Sequence, residues 1–176
     1  MGEMITLTAE DGHKLAGYRA TPSGKARGGL VVVQEIFGVN SHIKSVTDGF
    51  AADGYLALAP AIFDRAEPCF ETGYRQEDID RGRAVRMKIL LDDLVKDIRA
   101  AARVLTTAGH KVGVVGYCLG GSLAWLSATR IDGLACTIGY YGASSPSTRR
   151  RARGAPCCST GARLTNRFRP TARGIS

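Results

Sequence analysis

Cys118 is the residue of this sequence with the clearest capacity for nucleophilic chemistry. It stands in the pattern Gly116-Tyr117-Cys118-Leu119-Gly120, after an apolar run that is typical of a buried strand and before a segment that is typical of a helix. A nucleophile between two glycines, where a strand turns sharply into a helix, is a nucleophile elbow. The dipole and free N–H groups of the helix N-terminus favour a thiolate there. The alternative is a buried cysteine that acts as a small apolar residue.

Glu35 is the second candidate, because it follows the apolar, largely β-branched run over residues 30–34. Such a run is typical of a strand that is buried on both faces of a parallel sheet. A carboxyl group at the end of that strand is partly desolvated, so it either has a partner or has a raised pKa. A functional carboxylate and a carboxylate that is hydrogen-bonded to a turn both fit this position.

Two separated motifs resemble those of the dienelactone hydrolases, which are also called carboxymethylenebutenolidases. They are Gly116-Tyr117-Cys118-Leu119-Gly120-Gly121 and, upstream, Gln34-Glu35-Ile36-Phe37-Gly38-Val39-Asn40. The likeness extends from about residue 4 to about residue 142. Members of this family are α/β-hydrolases that use Cys where most relatives use Ser. The resemblance implies a hydrolase that cleaves a lactone or an activated ester and needs neither a cofactor nor a metal.

The resemblance also implies roles for four residues. Attack by Cys118 on a lactone or ester carbonyl generates an oxyanion and then a thioester. The fold supplies two N–H donors to that oxyanion, one from the residue after the nucleophile, Leu119, and one from the loop after the third strand, Ile36. In the family, the glutamate that matches Glu35 interacts with the catalytic cysteine and helps to generate the thiolate.

Arg81, Phe37 and Tyr117 are candidates for substrate binding. The substrate that the resemblance implies carries a carboxylate, which an arginine can bind in a bidentate manner. Arg81 and Arg83 lie in or just after a polar segment that is expected to border the site, but a solvated helix start accounts for both equally well. Tyr117 can also be a packing residue.

The order of the predicted elements indicates an α/β-hydrolase fold, a mostly parallel sheet with helices on both faces that lacks its last strands. Residues 61–82 are predicted to form a loop, with room for one short helical piece, over the carboxyl ends of the strands, where such sheets bind their ligands. Regular apolar spacing predicts one long helix over residues 83–107. Strands are predicted near residues 4–9, 14–20, 30–34, 55–59, 111–115 and 134–140, and further helices near 41–52 and 122–130.

The acid and the histidine that this fold supplies after its nucleophile are missing from the sequence. The chain has no Asp or Glu after Asp132 and no His after His110. Among its histidines, only His42 is predicted at the carboxyl end of the sheet, where a solvated helix start also accounts for it. We therefore expect a chain that is inactive or nearly so. A non-catalytic, α/β-hydrolase-like binding protein is the alternative.

Charge divides the chain into a core, residues 1–142, and an arginine-rich tail, residues 143–176. The net charge of +8 comes from the tail, because residues 146–176 contain eight Arg and no acidic residue. The body of the protein is therefore not a basic surface, and we expect a small-molecule partner but no nucleic acid. A nucleic-acid-associated protein that uses the tail is the less favoured alternative, because no aromatic or structured companion accompanies the arginines.

Length and composition favour one cytoplasmic domain. The chain of 176 residues has 44% hydrophobic content, no apolar run that could span a membrane, and no secretory signal pattern. Its five cysteines form no CxxC pair, which argues against a disulfide framework and a zinc site. The composition predicts no particular oligomeric state.

The tail is also consistent with a shifted reading frame. In the family, a buried strand, a His-Gly turn and an Asp shortly before Ile-Pro follow the core. A shifted codon takes the third base of one residue's codon and the first two bases of the next. Read in this way, Cys157-Cys158 yields Leu, and residues 159–161 permit His-Gly. Residues 164–170 then permit Asp-Glu-Ser-Ile-Pro-Pro. A frameshifted end and a genuine disordered basic tail are both interpretations of this segment.

Overall fold

Seven strands and four helices form the part of the chain that the computed structural model describes, which is residues 2–142 and the backbone of residues 157–159. The strands are β1 (Glu3–Thr8), β2 (Lys14–Ala20), β3 (Gly29–Val33), β4 (Leu56–Pro60), β5 (Val112–Tyr117), β6 (Cys136–Tyr140) and β7 (Cys157–Ser159). The helices are α1 (Ser41–Ala52), α2 (Gln76–Met87), α3 (Leu91–Thr107) and α4 (Leu119–Arg130). None of these four helices is long and apolar enough to cross a membrane.

The strands form a single sheet in the order β1-β2-β4-β3-β5-β6-β7. β1 pairs with β2, and β2 with β4, in antiparallel fashion, whereas every pair from β4 to β7 is parallel. Parallel neighbours need a crossover, and helices lie in the connections from β3 to β4, from β4 to β5 and from β5 to β6. The mostly parallel sheet that the sequence predicts is therefore confirmed.

Alternate residues of the central strands pack against opposite helix layers. Val31 and Val33 of β3 belong to one core cluster with buried residues of α3 and α4, whereas Val32 belongs to a second cluster with buried residues of α1. Helices thus cover both faces of the sheet, as predicted. The carboxyl ends of β3 and β5 are therefore set in a well-packed core. Full burial of one such side chain stabilises the fold by roughly 1.5–3 kcal/mol.

The prediction of one helix over residues 83–107 is wrong, because the chain breaks at residues 88–90 between α2 and α3. Leu90 has an extended backbone, with φ −69° and ψ 144°, so α2 cannot continue through it. The Arg86 guanidinium donates a hydrogen bond of 2.7 Å to the Ile89 carbonyl, which lies in the break. The short helical piece allowed for in residues 61–82 is the first part of α2, which begins at Gln76.

The prediction that β6 is the last strand is also wrong. β7 pairs in parallel with residues 137–139 of β6. Its three residues are fewer than the four to eight from which a strand pattern is recognised, and they show no polar–apolar alternation. Pairing at a sheet edge uses backbone N–H and C=O groups, so an extended segment can form it whatever its side chains are. The other tail residues lie outside the described part of the chain.

Candidate active site

Three neighbouring parallel strands end in one register at the carboxyl edge of the sheet. Val33 of β3 lies opposite Gly116 of β5, which lies opposite Gly139 of β6. In each chain segment, the second residue after this row carries a chemically active side chain. These residues are Glu35, Cys118 and Tyr141. The register of the sheet therefore brings a carboxylate, a thiol and a phenol to the same rim.

Cys118 occupies the turn between β5 and α4. Its backbone has φ 53° and ψ −114°, a conformation that a residue with a side chain rarely adopts and that typically costs about 1–3 kcal/mol. Its N–H donates a hydrogen bond of 3.0 Å to the carbonyl of Tyr140, which fixes the turn to the end of β6. The side chain is half-buried and the thiol is free. This is the strained strand-to-helix turn of a nucleophile elbow.

The two glycines that flank the turn are required by close backbone contacts. A Cβ atom on Gly116 would lie 2.0 Å from the carbonyl oxygen of Gly120. A Cβ atom on Gly120 would lie 2.3 Å from the carbonyl oxygen of Val33 and 2.7 Å from that of Gln34. The prediction that only small residues allow the turn to close is thus confirmed. The same contacts place the first turn of α4 directly beside the end of β3.

The backbone donors proposed for an oxyanion come from these two adjoining segments. Leu119 is the first residue of α4, so its N–H has no acceptor within the helix. Ile36 lies in the loop that follows β3. The Ile36 carbonyl is packed against α2, because a Cβ atom on Gly82 would lie 2.2 Å from its oxygen. α2 therefore supports the loop at Ile36.

Glu35 is hydrogen-bonded to a residue that the sequence did not single out. The hydroxyl of Tyr141 donates a hydrogen bond of 3.0 Å to Glu35 Oε1. Although 67% of Tyr141 is exposed, partial desolvation of its hydroxyl raises its pKa, and so do the hydrogen bond to Glu35 and the charges of Glu35 and an ionised Cys118. Tyr141 is thus electrostatically coupled to both predicted catalytic residues. The sequence contained one sign of it, two consecutive tyrosines at the end of a predicted strand.

Tyr117 and Phe37 contribute aromatic surface around the turn. Tyr117 stacks on Tyr140 with ring centroids 5.2 Å apart and 7° between the planes, and burial raises its pKa to about 12. The centroids of the Phe37 and Tyr74 rings lie 4.5 Å apart. The backbone carbonyl of Phe37 accepts a hydrogen bond of 3.1 Å from the Thr72 N–H. Both rings therefore pack against neighbours, and their contact with a substrate stays a prediction.

Arg81 lies on α2 and not in a loop, and its guanidinium already has partners. It binds the carboxylate of Glu67 and lies 5.0 Å from the centroid of the Phe70 ring. Arg83 pairs with Asp80 at 3.5 Å on the exposed face of the same helix. A substrate carboxylate at Arg81 would have to compete with Glu67, so substrate binding by Arg81 also stays a prediction.

The structure changes the predicted positions of the histidines. His42 is exposed at the second position of α1, on the rim where the sequence placed it. The expectation that it alone lies at this end is wrong, because antiparallel pairing of β2 with β4 also brings the hairpin that contains His13 to this end. The hairpin joins β1 to β2, however, and the strand order separates β1 from β5 by β2, β4 and β3. His13 is therefore remote from Cys118.

Comparisons with known proteins agree with the two motifs. The family model for dienelactone hydrolases matches residues 15–162. A Synechocystis sp. protein that is assigned as a carboxymethylenebutenolidase is 40% identical over 138 residues, which are 76% of this chain and 56% of that protein. The carboxymethylenebutenolidase of Pseudomonas sp. strain P51 is 36% identical over 158 residues, which are 86% of this chain and 65% of that enzyme. The chain thus spans less than two thirds of the length of these relatives.

Solved structures confirm the α/β-hydrolase fold. A crystal structure from Klebsiella pneumoniae subsp. pneumoniae, assigned as a dienelactone hydrolase, superposes with a TM-score of 0.66 at 26% identity, covering 80% of this chain and 60% of that one. The α/β-hydrolase GrgF of Penicillium sp. sh18 superposes with a TM-score of 0.62 at 15% identity, covering 79% of this chain and 45% of that one, and speaks for the fold alone. With this fold, the family match and these relatives, the chain belongs to the dienelactone hydrolase family of hydrolases.

Proposed function

We propose that Cys118 is the nucleophile of a carboxylic ester hydrolase whose substrates are lactones or activated esters. The observation that carries this proposal is the left-handed backbone of Cys118 between β5 and α4. Such a conformation in a residue with a side chain persists only where the surrounding contacts enforce it, and here the residue bears a thiol and directly precedes the helix N-terminus. The substrate class is supported by the names of the relatives, two of which are carboxymethylenebutenolidases.

The proposed reaction begins with proton transfer from the Cys118 thiol to the Glu35 carboxylate. The thiolate then attacks the carbonyl carbon, and the N–H groups of Leu119 and Ile36 stabilise the oxyanion. Collapse of the oxyanion restores the carbonyl, breaks the bond to the leaving oxygen and leaves an acyl thioester on Cys118. The hydroxyl of Tyr141 donates a hydrogen bond to the Glu35 carboxylate and so holds it at this rim of the sheet.

Hydrolysis of that thioester needs an activated water. To activate it, this sequence has no Asp or Glu after Asp132 and no His after His110. General acid–base assistance is typically worth about 10²–10⁴ in rate. We therefore propose that the 176-residue chain acylates once and then turns over at a trace rate. We further propose that the tail results from a shift of one base in the reading frame upstream of Cys157, and that the acid and histidine are encoded in the other frame.

A burst experiment with p-nitrophenyl acetate tests the nucleophile. We expect up to one equivalent of p-nitrophenolate per chain, followed by slow release, and an acetyl group on the peptide that contains Cys118. Cys118→Ala abolishes the burst, whereas Cys69→Ser does not, because Cys69 is an exposed thiol outside the elbow. Iodoacetamide should also alkylate Cys118 faster than the half-buried Cys136. Equal labelling rates, or a burst that survives Cys118→Ala, contradict the assignment.

A one-base correction upstream of Cys157 tests the explanation of the tail. We expect the corrected chain, with its natural continuation, to hydrolyse the ester over many turnovers in a manner that depends on Cys118. Full turnover by the 176-residue chain itself contradicts the proposal, and His42→Ala is then the first variant to measure. Reversible binding of a lactone without acylation in either chain supports a binding protein in place of an enzyme.

A further inference from the structure

Gln34 is a buried polar residue beneath the candidate site to which the proposed reaction gives no role. It follows β3 directly, and none of its surface is exposed. Its Nε2 donates a hydrogen bond of 3.2 Å to the carbonyl oxygen of Glu35. Its Oε1 is buried without a hydrogen-bond partner among the described residues. Among the described residues this side chain therefore has one polar contact, and that contact is with the loop that follows β3 and contains Ile36.

A buried amide with an unpaired acceptor is unfavourable for folding. Leaving such an acceptor unsatisfied forfeits its hydration without a replacement bond, whereas an apolar side chain of similar size would avoid that cost. The neighbouring positions Val32 and Val33 show that the end of β3 accepts apolar residues in full burial. Packing therefore does not explain an amide at this position, whereas its hydrogen bond to the Glu35 carbonyl does.

The group to which Gln34 donates belongs to the same peptide unit as the Ile36 N–H. The peptide bonds of the described chain are trans, so the Glu35 carbonyl and the Ile36 N–H point in opposite directions from one planar unit. A hydrogen bond that holds the carbonyl fixes the rotation of this plane and hence the direction of the N–H. Hydrogen bonding at the carbonyl also polarises the N–H and strengthens it as a donor.

Other contacts hold the loop in place on either side of this peptide. The Gln34 carbonyl lies against Gly120 of α4, and the Ile36 carbonyl lies against Gly82 of α2. These contacts set the position of the loop, while the orientation of the peptide between them is set by the Gln34 amide. We infer that Gln34 is a positioning residue that aims the Ile36 N–H at the oxyanion. The inference rests on the proposed acylation of Cys118.

Two reactions of the same thiol separate positioning from structure. Acylation by p-nitrophenyl acetate passes through an oxyanion, whereas alkylation by iodoacetamide does not, so only the first depends on the Ile36 N–H. We expect Gln34→Met to lower acylation about tenfold and to leave alkylation within about twofold. The loss is smaller than the roughly 10²–10³ that removal of an oxyanion donor costs, because the donor is retained but misaligned.

Thr47→Val is the matched control. Thr47 is fully buried in α1 and donates a hydrogen bond of 2.7 Å to the Ile43 carbonyl, so the variant also removes a buried side-chain donor to a backbone carbonyl. It should leave the ratio of acylation to alkylation unchanged. The positioning role is overturned if Gln34→Met folds and has the same ratio of acylation to alkylation as Thr47→Val. It is also overturned if the acylation and alkylation rates of Gln34→Met fall together.

Nuclear magnetic resonance of the unaltered chain tests the same contact without any reaction. A correlation across the hydrogen bond between the Gln34 side-chain nitrogen and the Glu35 carbonyl carbon is expected, and its absence overturns the inference even if Gln34→Met does not fold. Where Gln34→Met folds, the Ile36 amide resonance should shift. Failure of the unaltered chain to acylate refutes the proposed function, whereas these resonances still decide whether Gln34 orients the peptide.

Discussion

Gly120→Ala is the substitution for which the structure predicts the clearest effect. The added Cβ atom would lie 2.3 Å from the carbonyl oxygen of Val33 and 2.7 Å from that of Gln34, both below the 3.0 Å that Cβ contacts respect. Both obstacles are backbone atoms of a buried strand end, so neither can rotate away. Either α4 or β3 must move, and overpacking of this kind typically costs about 1–3 kcal/mol. We expect the upper end of that range.

Gly49→Ala is the same chemical change where there is space for it. Gly49 lies on the exposed face of α1, and a Cβ atom there would have no neighbour within 4 Å. Alanine is favoured over glycine in a helix interior by roughly 0.5–1 kcal/mol, so this variant should be more stable than the parent. The two substitutions should therefore differ by about 3–4 kcal/mol in the free energy of unfolding.

Urea unfolding followed by circular dichroism measures this difference, and the p-nitrophenyl acetate burst measures its effect on the elbow. Gly120→Ala should unfold at a lower urea concentration and lose most of the burst, because the displaced helix carries the Leu119 N–H and directly follows Cys118. Gly49→Ala should keep the burst and unfold at a higher concentration. Equal unfolding midpoints for the two variants would refute the claim that the first turn of α4 is locked against the end of β3.

Two further predictions concern charged groups. Asp97 is fully buried and receives two hydrogen bonds of 2.8 Å from Arg65, so Asp97→Asn should destabilise the fold by about 3 kcal/mol in urea unfolding; a midpoint like that of the parent would contradict this. Glu35→Gln removes a charge that, with burial, raises the pKa of Tyr141, so ultraviolet titration should find that pKa lowered. The same variant should slow alkylation of Cys118 at neutral pH, and an unchanged rate would make Glu35 purely structural.

The sequence predicted those parts of the fold whose signal is local. β2 was predicted with the bounds that the structure gives it, because turn residues and an antiparallel hairpin delimit it. α1 was predicted because Asn40 or Ser41 can cap a helix, and the structure identifies Asn40 as the cap, since its side chain accepts a hydrogen bond of 3.2 Å from the Ile43 N–H. The break between α2 and α3 was missed, because apolar residues on both sides of it continue to face the same core cluster.

The candidate site was predictable only where one motif carries the geometry. Cys118 and its two glycines stand within five residues of each other, so the turn that they form could be inferred from their spacing. Tyr141 could not be inferred in this way, because its approach to Glu35 depends on the register of β6 against β5 and of β5 against β3. Long-range pairing sets that register, and no local pattern encodes it.

The groups needed for acylation and those needed for hydrolysis differ in where they lie along the chain. The thiol, the carboxylate and the two N–H donors come from the ends of β3 and β5 and from the first turn of α4, all of which are anchored in the packed core. The proposed formation of the thioester therefore uses no residue of the tail. Its breakdown requires a base for water, which this fold provides after the nucleophile. A core of this kind should accumulate the acyl-enzyme, so the acylated Cys118 peptide is the product by which its chemistry can be recognised.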